Sequence, residues 1–146
     1  MTTKLANKLG VLREFQNKYP KSHVGGSIGL MLHSVDLERN LDDSDLDITI
    51  DKLYDIKELS LQSQYVDKHP SSDDVDYTIN KTINYTRTKI RVNPEPGYDV
   101  ITYEGYKYHV SKLENILFWK RKYAQKGIYK HQNDLKLMLN EYPDIK

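Results

Sequence analysis

Gly25-Gly26-Ser27 and, further along, Asp45-Leu46-Asp47 are the residues of this chain whose types and spacing could do chemistry together. Paired glycines let the backbone come close to a ligand, and a helix opening behind them offers unpaired N–H groups to a phosphate. Ser27 adds a hydroxyl donor. In Asp45-Leu46-Asp47-Ile48-Thr49-Ile50 the alternation is that of a strand. Both acids then project from one face while Leu46 and Ile48 point to the other. Two carboxylates one strand step apart can jointly hold a hard cation such as Mg²⁺, which takes oxygen ligands and leaves room for substrate phosphates. Asp42-Asp43-Ser44-Asp45 also reads as a polar loop entering a half-buried strand, and isolated Asp-x-Asp pairs are common. The glycine turn upstream sets this pair apart.

Elements must hold these residues in place. Leu5, Leu9 and Leu12, with Ala6 and Phe15, recur at helical spacing and predict a helix from about Thr3 to Asn17. Pro20 closes it, because the residue before a proline is pushed out of the α region. Ser22-His23-Val24 predicts a short strand entering the glycine turn, and Ile28, Leu30, Met31 and Leu32 a short buried helix. A loop over Val35 to Ser44 leads to the strand Asp45 to Ile50. The stretch from Asp51 to His69 suggests a short helix that stops at His69-Pro70-Ser71-Ser72. Thr, Ile and Tyr from Tyr77 to Val92 predict a hairpin turning at Asn84-Tyr85. After a turn at Asn93 to Gly97, a second hairpin joins Asp99–Tyr103 to Tyr106–Val110 around Glu104-Gly105. Ser111-Lys112-Leu113-Glu114 has the form of a capping box. It opens a helix to about Ala124, with Leu113, Ile116, Leu117 and Trp119 as candidate buried positions. Gly127 breaks that helix, and a last one, about Ile128 to Tyr142, buries Leu135, Met138, Leu139 and Tyr142. The expected fold is α/β of the mixed α+β kind, a mixed sheet with helices packed on it and a C-terminal helical pair. Residues 1–146 read as one domain.

The composition narrows the function. Hydrophobic residues at 38% and charged residues at 29% describe a soluble globular chain. No apolar run approaches the roughly 20 residues that span a bilayer, so no membrane partner is expected. Met1-Thr2-Thr3-Lys4-Leu5 lacks the apolar stretch of a secretion signal, which makes the cytoplasm the expected compartment. Absence of cysteine excludes disulfides and thiolate metal sites. The histidines are too scattered for a zinc site, and no Ser/His/Asp arrangement is visible. A net charge of +1 gives no global pull toward nucleic acid. The charges are nonetheless segregated: acids at Asp42, Asp43, Asp45 and Asp47, bases at Lys120, Arg121, Lys122, Lys126 and Lys130. That pattern suits a phosphorylated ligand with a bridging cation, and equally two unrelated solvated faces. His131 beside Lys130 reads as a packing or capping histidine or as a phosphate or base ligand. Asp134 is placed to pair with His131 or Lys130 across one helical turn. Arg39 reads as a brace for the Asp-rich loop.

Taken together, Gly25-Gly26-Ser27-Ile28-Gly29-Leu30-Met31-Leu32-His33, Asp36-Leu37-Glu38-Arg39 and Asp43-Ser44-Asp45-Leu46-Asp47-Ile48 resemble the minimal nucleotidyltransferase domain of the DNA polymerase β superfamily. A weaker likeness lies in Ile116-Leu117-Phe118-Trp119-Lys120 with Lys130-His131-Gln132-Asn133-Asp134-Leu135. The resemblance implies that Asp45 and Asp47 bind two Mg²⁺ ions bridging a nucleotide triphosphate, while a hydroxyl attacks the α-phosphorus and pyrophosphate leaves. It also implies that Gly25, Gly26 and Ser27 cradle phosphates and that Lys120 neutralises them, with Lys130 and His131 as further ligands. Such domains carry a third carboxylate on the neighbouring strand. Here that strand reads Thr88-Lys89-Ile90-Arg91-Val92-Asn93, and Arg91 falls at the expected place. Glu95 or Asp99 are the alternative sources of the acid, and without one a single Mg²⁺ is expected.

The expected function is therefore metal-dependent, ATP- or NTP-using transfer of a nucleoside monophosphate to a hydroxyl acceptor. A tRNA, a protein side chain and a small molecule all remain open as acceptors, with a partner chain or a homodimer completing the acceptor site. The alternative is a catalytically impaired domain that binds or regulates, as in a toxin–antitoxin or phage-related system. RNA binding through the Lys120 to Lys130 segment is a third reading, which would show as a steep, Mg²⁺-independent salt dependence.

Overall fold

Leucines and a phenylalanine at steps of three and four bury Leu9, Leu12 and Phe15 along one face of the first helix, α1 (Thr3–Lys18). In this computed structural model, which describes residues 1–50, 65–68, 77–84, 86–92 and 97–145, Thr2 caps that helix by accepting from the Leu5 N–H at 3.1 Å. Next come β1 (His23–Gly25), α2 (Gly26–Leu32), β2 (Leu46–Ile50), β3 (Tyr65–Lys68), β4 (Tyr77–Ile83) and β5 (Thr86–Val92). Then follow β6 (Tyr98–Tyr103), β7 (Tyr106–Ser111), α3 (Leu113–Gln125) and α4 (Tyr129–Glu141).

The strands form a seven-stranded mixed sheet in the order β3-β4-β5-β2-β1-β7-β6. β2 lies near its centre, antiparallel to β1 and parallel to β5. Strand alternation sends Leu46, Ile48 and Ile50 into the core with Ile90 of β5 and Val110 of β7, all nearly without exposed surface. The same alternation sends Asp45, Asp47 and Thr49 the other way. α2 packs against β1 and α3, and α3 against α4, so the C-terminal pair stands over the end of the sheet where the glycines lie. Among the described residues no helix is long and apolar enough to cross a membrane.

Both hairpins form, and their turns use backbone of positive φ: Asn84 at 47°, Glu104 at 50° and Gly105 at 83°. Two expectations change. The capping box does not form, because Ser111 is the last residue of β7 and its hydroxyl meets the His23 ring at 2.8 Å. Lys112 takes the N-cap position with no side-chain bond. Trp119 is half-buried beside a cavity rather than in the core, whereas Ile116, Leu117 and Met138 are buried as expected. The short helix expected between Asp51 and His69 lies outside the described residues, apart from Tyr65–Lys68, which is strand.

The core contact between β2 and β5 fixes the register on which the site depends. Ile90→Ala should therefore lower stability by about 2–5 kcal/mol, the usual cost of an emptied core position. Urea unfolding checks this, through a lower midpoint with an unchanged slope.

Candidate functional site

The pairing of β1 with β2 sets Gly25 opposite Asp47. Gly26 follows with φ of +60°, and a Cβ added there would run into Asp47 Oδ2. Conformation and space thus both require glycine at this position. Asp45 and Asp47 keep 40% and 29% of their side-chain surface. They open into a cleft of about 420 Å³, walled by the Arg39–Asp45 loop, by β5, and by Tyr123, Ile128, Lys130 and His131 of the C-terminal pair. The loop is pinned from behind by Lys8, whose ammonium donates to the Ser44 carbonyl. Burial lowers the Lys8 pKa, with the charges of Asp45 and Asp43 opposing.

Across the cleft floor, alternation along β5 aims Arg87, Lys89 and Arg91 at the same face as the two acids. Arg87 Nε lies 3.0 Å from Asp45 Oδ1, close enough for an ion pair without the alignment of a hydrogen bond. Its Nη2 donates to the Asp43 carbonyl at 3.1 Å. The register sets Lys89 opposite Asp47 and Arg91 opposite Thr49, so the residue facing Asp47 is Lys89 and not Arg91. Arg91 leans back to within 3.8 Å of Asp47 Oδ1 and lies over the rings of Trp119, at 4.9 Å, and Tyr123, at 5.8 Å. Of the other acids considered, Glu95 lies outside the described residues, and Asp99 sits exposed on β6 at the far edge of the sheet. Among the described residues, no three His, Asp or Glu side chains gather in a way that could hold a metal ion.

Ser27 also lines this cleft, and Lys120 is buried behind it. Lys120 is 2% exposed, and its ammonium donates to Asp134 Oδ2 at 2.9 Å, to Ser27 Oγ at 3.3 Å and to His131 Nδ1 at 3.1 Å. Asp134, with no exposed surface, also receives Arg39 Nη2 at 2.7 Å. Arg39 bonds Ser27 Oγ at 2.6 Å as well. The cluster ties α4, α3, the Arg39 loop and the start of α2 to one another. Asp134 pairs with Lys120 and Arg39, not with His131 or Lys130 as helical spacing suggests. Burial alone would raise the Asp134 pKa, but the hydrogen bonds and charges of Arg39 and Lys120 outweigh it and hold the carboxyl below its usual range. Burial lowers Lys120, against the pull of Asp134. His131 is pulled down to about 4, first by burial and then by the Lys120 and Lys130 ammoniums.

A second, smaller cavity of about 40 Å³ lies on the other side of Asp47, between Thr49, Arg91, Asn115 and Trp119. It has room for a few waters and not for a nucleobase. Asn115 Nδ2, buried without a partner among the described residues, faces this space.

No family model and no curated protein matches the sequence. Among solved structures the chain is similar to a Thermotoga maritima protein described as a "putative nucleotidyltransferase", with a TM-score of 0.57 and 21% identity. The alignment covers 93% of this chain and 94% of that one. The chain thus has the fold of a nucleotidyltransferase-like domain. Ser27, Asp45 and Asp47 line one cleft, with Lys130 and His131 on its opposite wall, whereas Gly25 and Gly26 line the smaller cavity with Asp47 and His131. Lys120 lines that smaller cavity as well. Lys89 and the cluster of Arg39 with Asp134 were missed. Lys89 was open to discovery, since alternation from Arg87 to Arg91 already aligns three cations.

The depressed His131 pKa sets a pH dependence with a definite sign. Between about 6.5 and about 4 the unfolded chain binds a proton at this ring that the folded chain does not. Stability therefore falls as pH drops through that window and levels off below it. In His131→Gln this part of the decline should vanish, as urea midpoints at several pH values would reveal. Parallel curves for the two proteins would refute the assignment.

Proposed function

We propose that the cleft takes a nucleoside triphosphate and that the chain moves its nucleoside monophosphate to a hydroxyl acceptor, with Asp45 and Asp47 as Mg²⁺ ligands. The observation that supports this is the seating of Gly26 on the Asp47 carboxylate, which sets the turn directly beside an acid pair that opens into a cleft. The donor set suits one ion. Both carboxylates project toward the same cleft, and each keeps part of its side-chain surface exposed there. Mg²⁺ commonly uses one or two carboxylates and completes its shell with water and phosphate oxygens. A second ion is not suited, because Lys89 stands opposite Asp47 where another acid would be needed.

The ion, when bound, would supply charge neutralisation and polarisation of the phosphate. The remaining work falls to the chain. Gly26 keeps the backbone low over Asp47, so phosphate oxygens can approach the carboxylates. Arg87 and Arg91 restrain the two acids from the side. Tyr123 and Ile128 offer a ring and an aliphatic surface to the nucleoside, and Lys130 faces the phosphates from the opposite wall. The open side of the cleft leaves space for an acceptor from tRNA, a protein or a small molecule.

A second reading, an impaired domain that binds nucleotide without transferring it, is favoured by the three cations on β5 where an acid would serve catalysis. Pyrophosphate release with Mg²⁺ and a panel of acceptors tests both. Asp45→Asn combined with Asp47→Asn should abolish Mg²⁺-dependent release while leaving the urea midpoint close to that of the parent. Turnover that survives the double substitution would refute the first reading. Nucleotide binding without release by the parent chain would establish the second.

A further inference from the structure

The cations around the cleft fall into two groups. Arg39 is bound to Asp134 and Ser27, Arg87 to Asp45 and the Asp43 carbonyl, and Arg91 to Asp47 and two aromatic rings. Lys130, exposed on the opposite wall, and Lys89 have no hydrogen bond or ion pair among the described residues. Of these two, Lys89 alone is half-buried, between the two arginines on the strand face of the acids, where it lines the cleft. Its register partner is Asp47, and neighbouring strands lie about 4.8 Å apart, so the flexible four-carbon stem can bring the ammonium to a ligand held at that acid. A triphosphate entering there adds several negative charges to two carboxylates, and one divalent ion leaves most of them uncompensated.

We infer that Lys89 is a phosphate-binding residue whose ammonium supplies the charge that a second divalent ion would bring, so that the cleft takes a nucleoside polyphosphate with a single ion. This rests on the nucleotide reading of the same cleft. An ammonium at this place also excludes a second cation by repulsion. Thr88 and Ile90, buried in the core on either side, anchor its backbone on the strand that pairs with β2.

Calorimetric titration with a non-hydrolysable NTP analogue, with and without Mg²⁺, and counting of bound Mn²⁺ by electron paramagnetic resonance test this. The parent chain should bind one Mn²⁺ with the analogue and retain measurable affinity when the metal is chelated. Lys89→Gln should weaken the analogue by about tenfold or more, the usual loss for a charge-assisted bond, and should bring the metal-free affinity close to zero. Lys89→Arg should restore most of the affinity, which separates lost charge from lost folding. Lys89→Asp should raise the count to two Mn²⁺ per chain. Unchanged affinity in Lys89→Gln, or two Mn²⁺ in the parent, overturns the role of Lys89 while leaving the nucleotide reading intact. A parent chain that binds no analogue under either condition overturns both.

Discussion

An ionised carboxylate with no exposed surface organises the working end of this molecule. Asp134 takes hydrogen bonds from Lys120, Arg39 and Ser27, and each comes from a different segment. Leaving such a group uncompensated by removing a partner costs about 3–5 kcal/mol. Replacing the whole set by apolar residues of the same volume is often neutral, so net stability is a poor explanation for it. What the cluster specifies is position. It holds the helical pair against the start of α2 at one distance and orientation, and that fixes the far wall of the cleft relative to Asp45 and Asp47.

This arrangement divides the basic residues by task. Charges that look interchangeable in a lysine-rich sequence are either enclosed by acids or left facing solvent. Lys120 belongs to the scaffold: desolvation and Asp134 dominate its surroundings. The two arginines of β5 restrain acids that would otherwise repel each other across the strand face. Lys89, beside them, has no ion pair among the described residues. The cleft combines a nearly neutral resting state with an uncommitted cation, a combination that suits an anionic ligand arriving with its own counter-ion.

Periodicity made the elements readable. Helical steps in α1, α3 and α4, strand alternation in β2, and Asn or Glu-Gly turns each depend on residues close in sequence. Gly26 and the two acids were readable for the same reason. Register was not. β5 lies parallel to β2 without being next to it in the chain, and a shift of one residue exchanges an ammonium for Ile90. Arg91 does reach the acid pair, within 3.8 Å of Asp47, but the register sets Lys89 opposite that acid. Contacts of Arg39 with Asp134 span 95 positions, beyond any local pattern. Ser111 shows the converse error. Its spacing to Glu114 satisfies a capping motif, yet β7 claims the residue and His23 takes its hydroxyl.

Trp119 is the single tryptophan of the chain. Arg91 lies over its ring, Lys122 is 5.3 Å from its centroid, and Tyr123 stacks on it at 6.1 Å. Indole emission is sensitive to nearby positive charge, and here one of the contributing charges is also held by an acid of the cleft. Any occupant that draws the Arg91 guanidinium away from Asp47 must alter the field across that indole. An occupant that moved Arg91 in this way would register in the intrinsic fluorescence of Trp119, without a label.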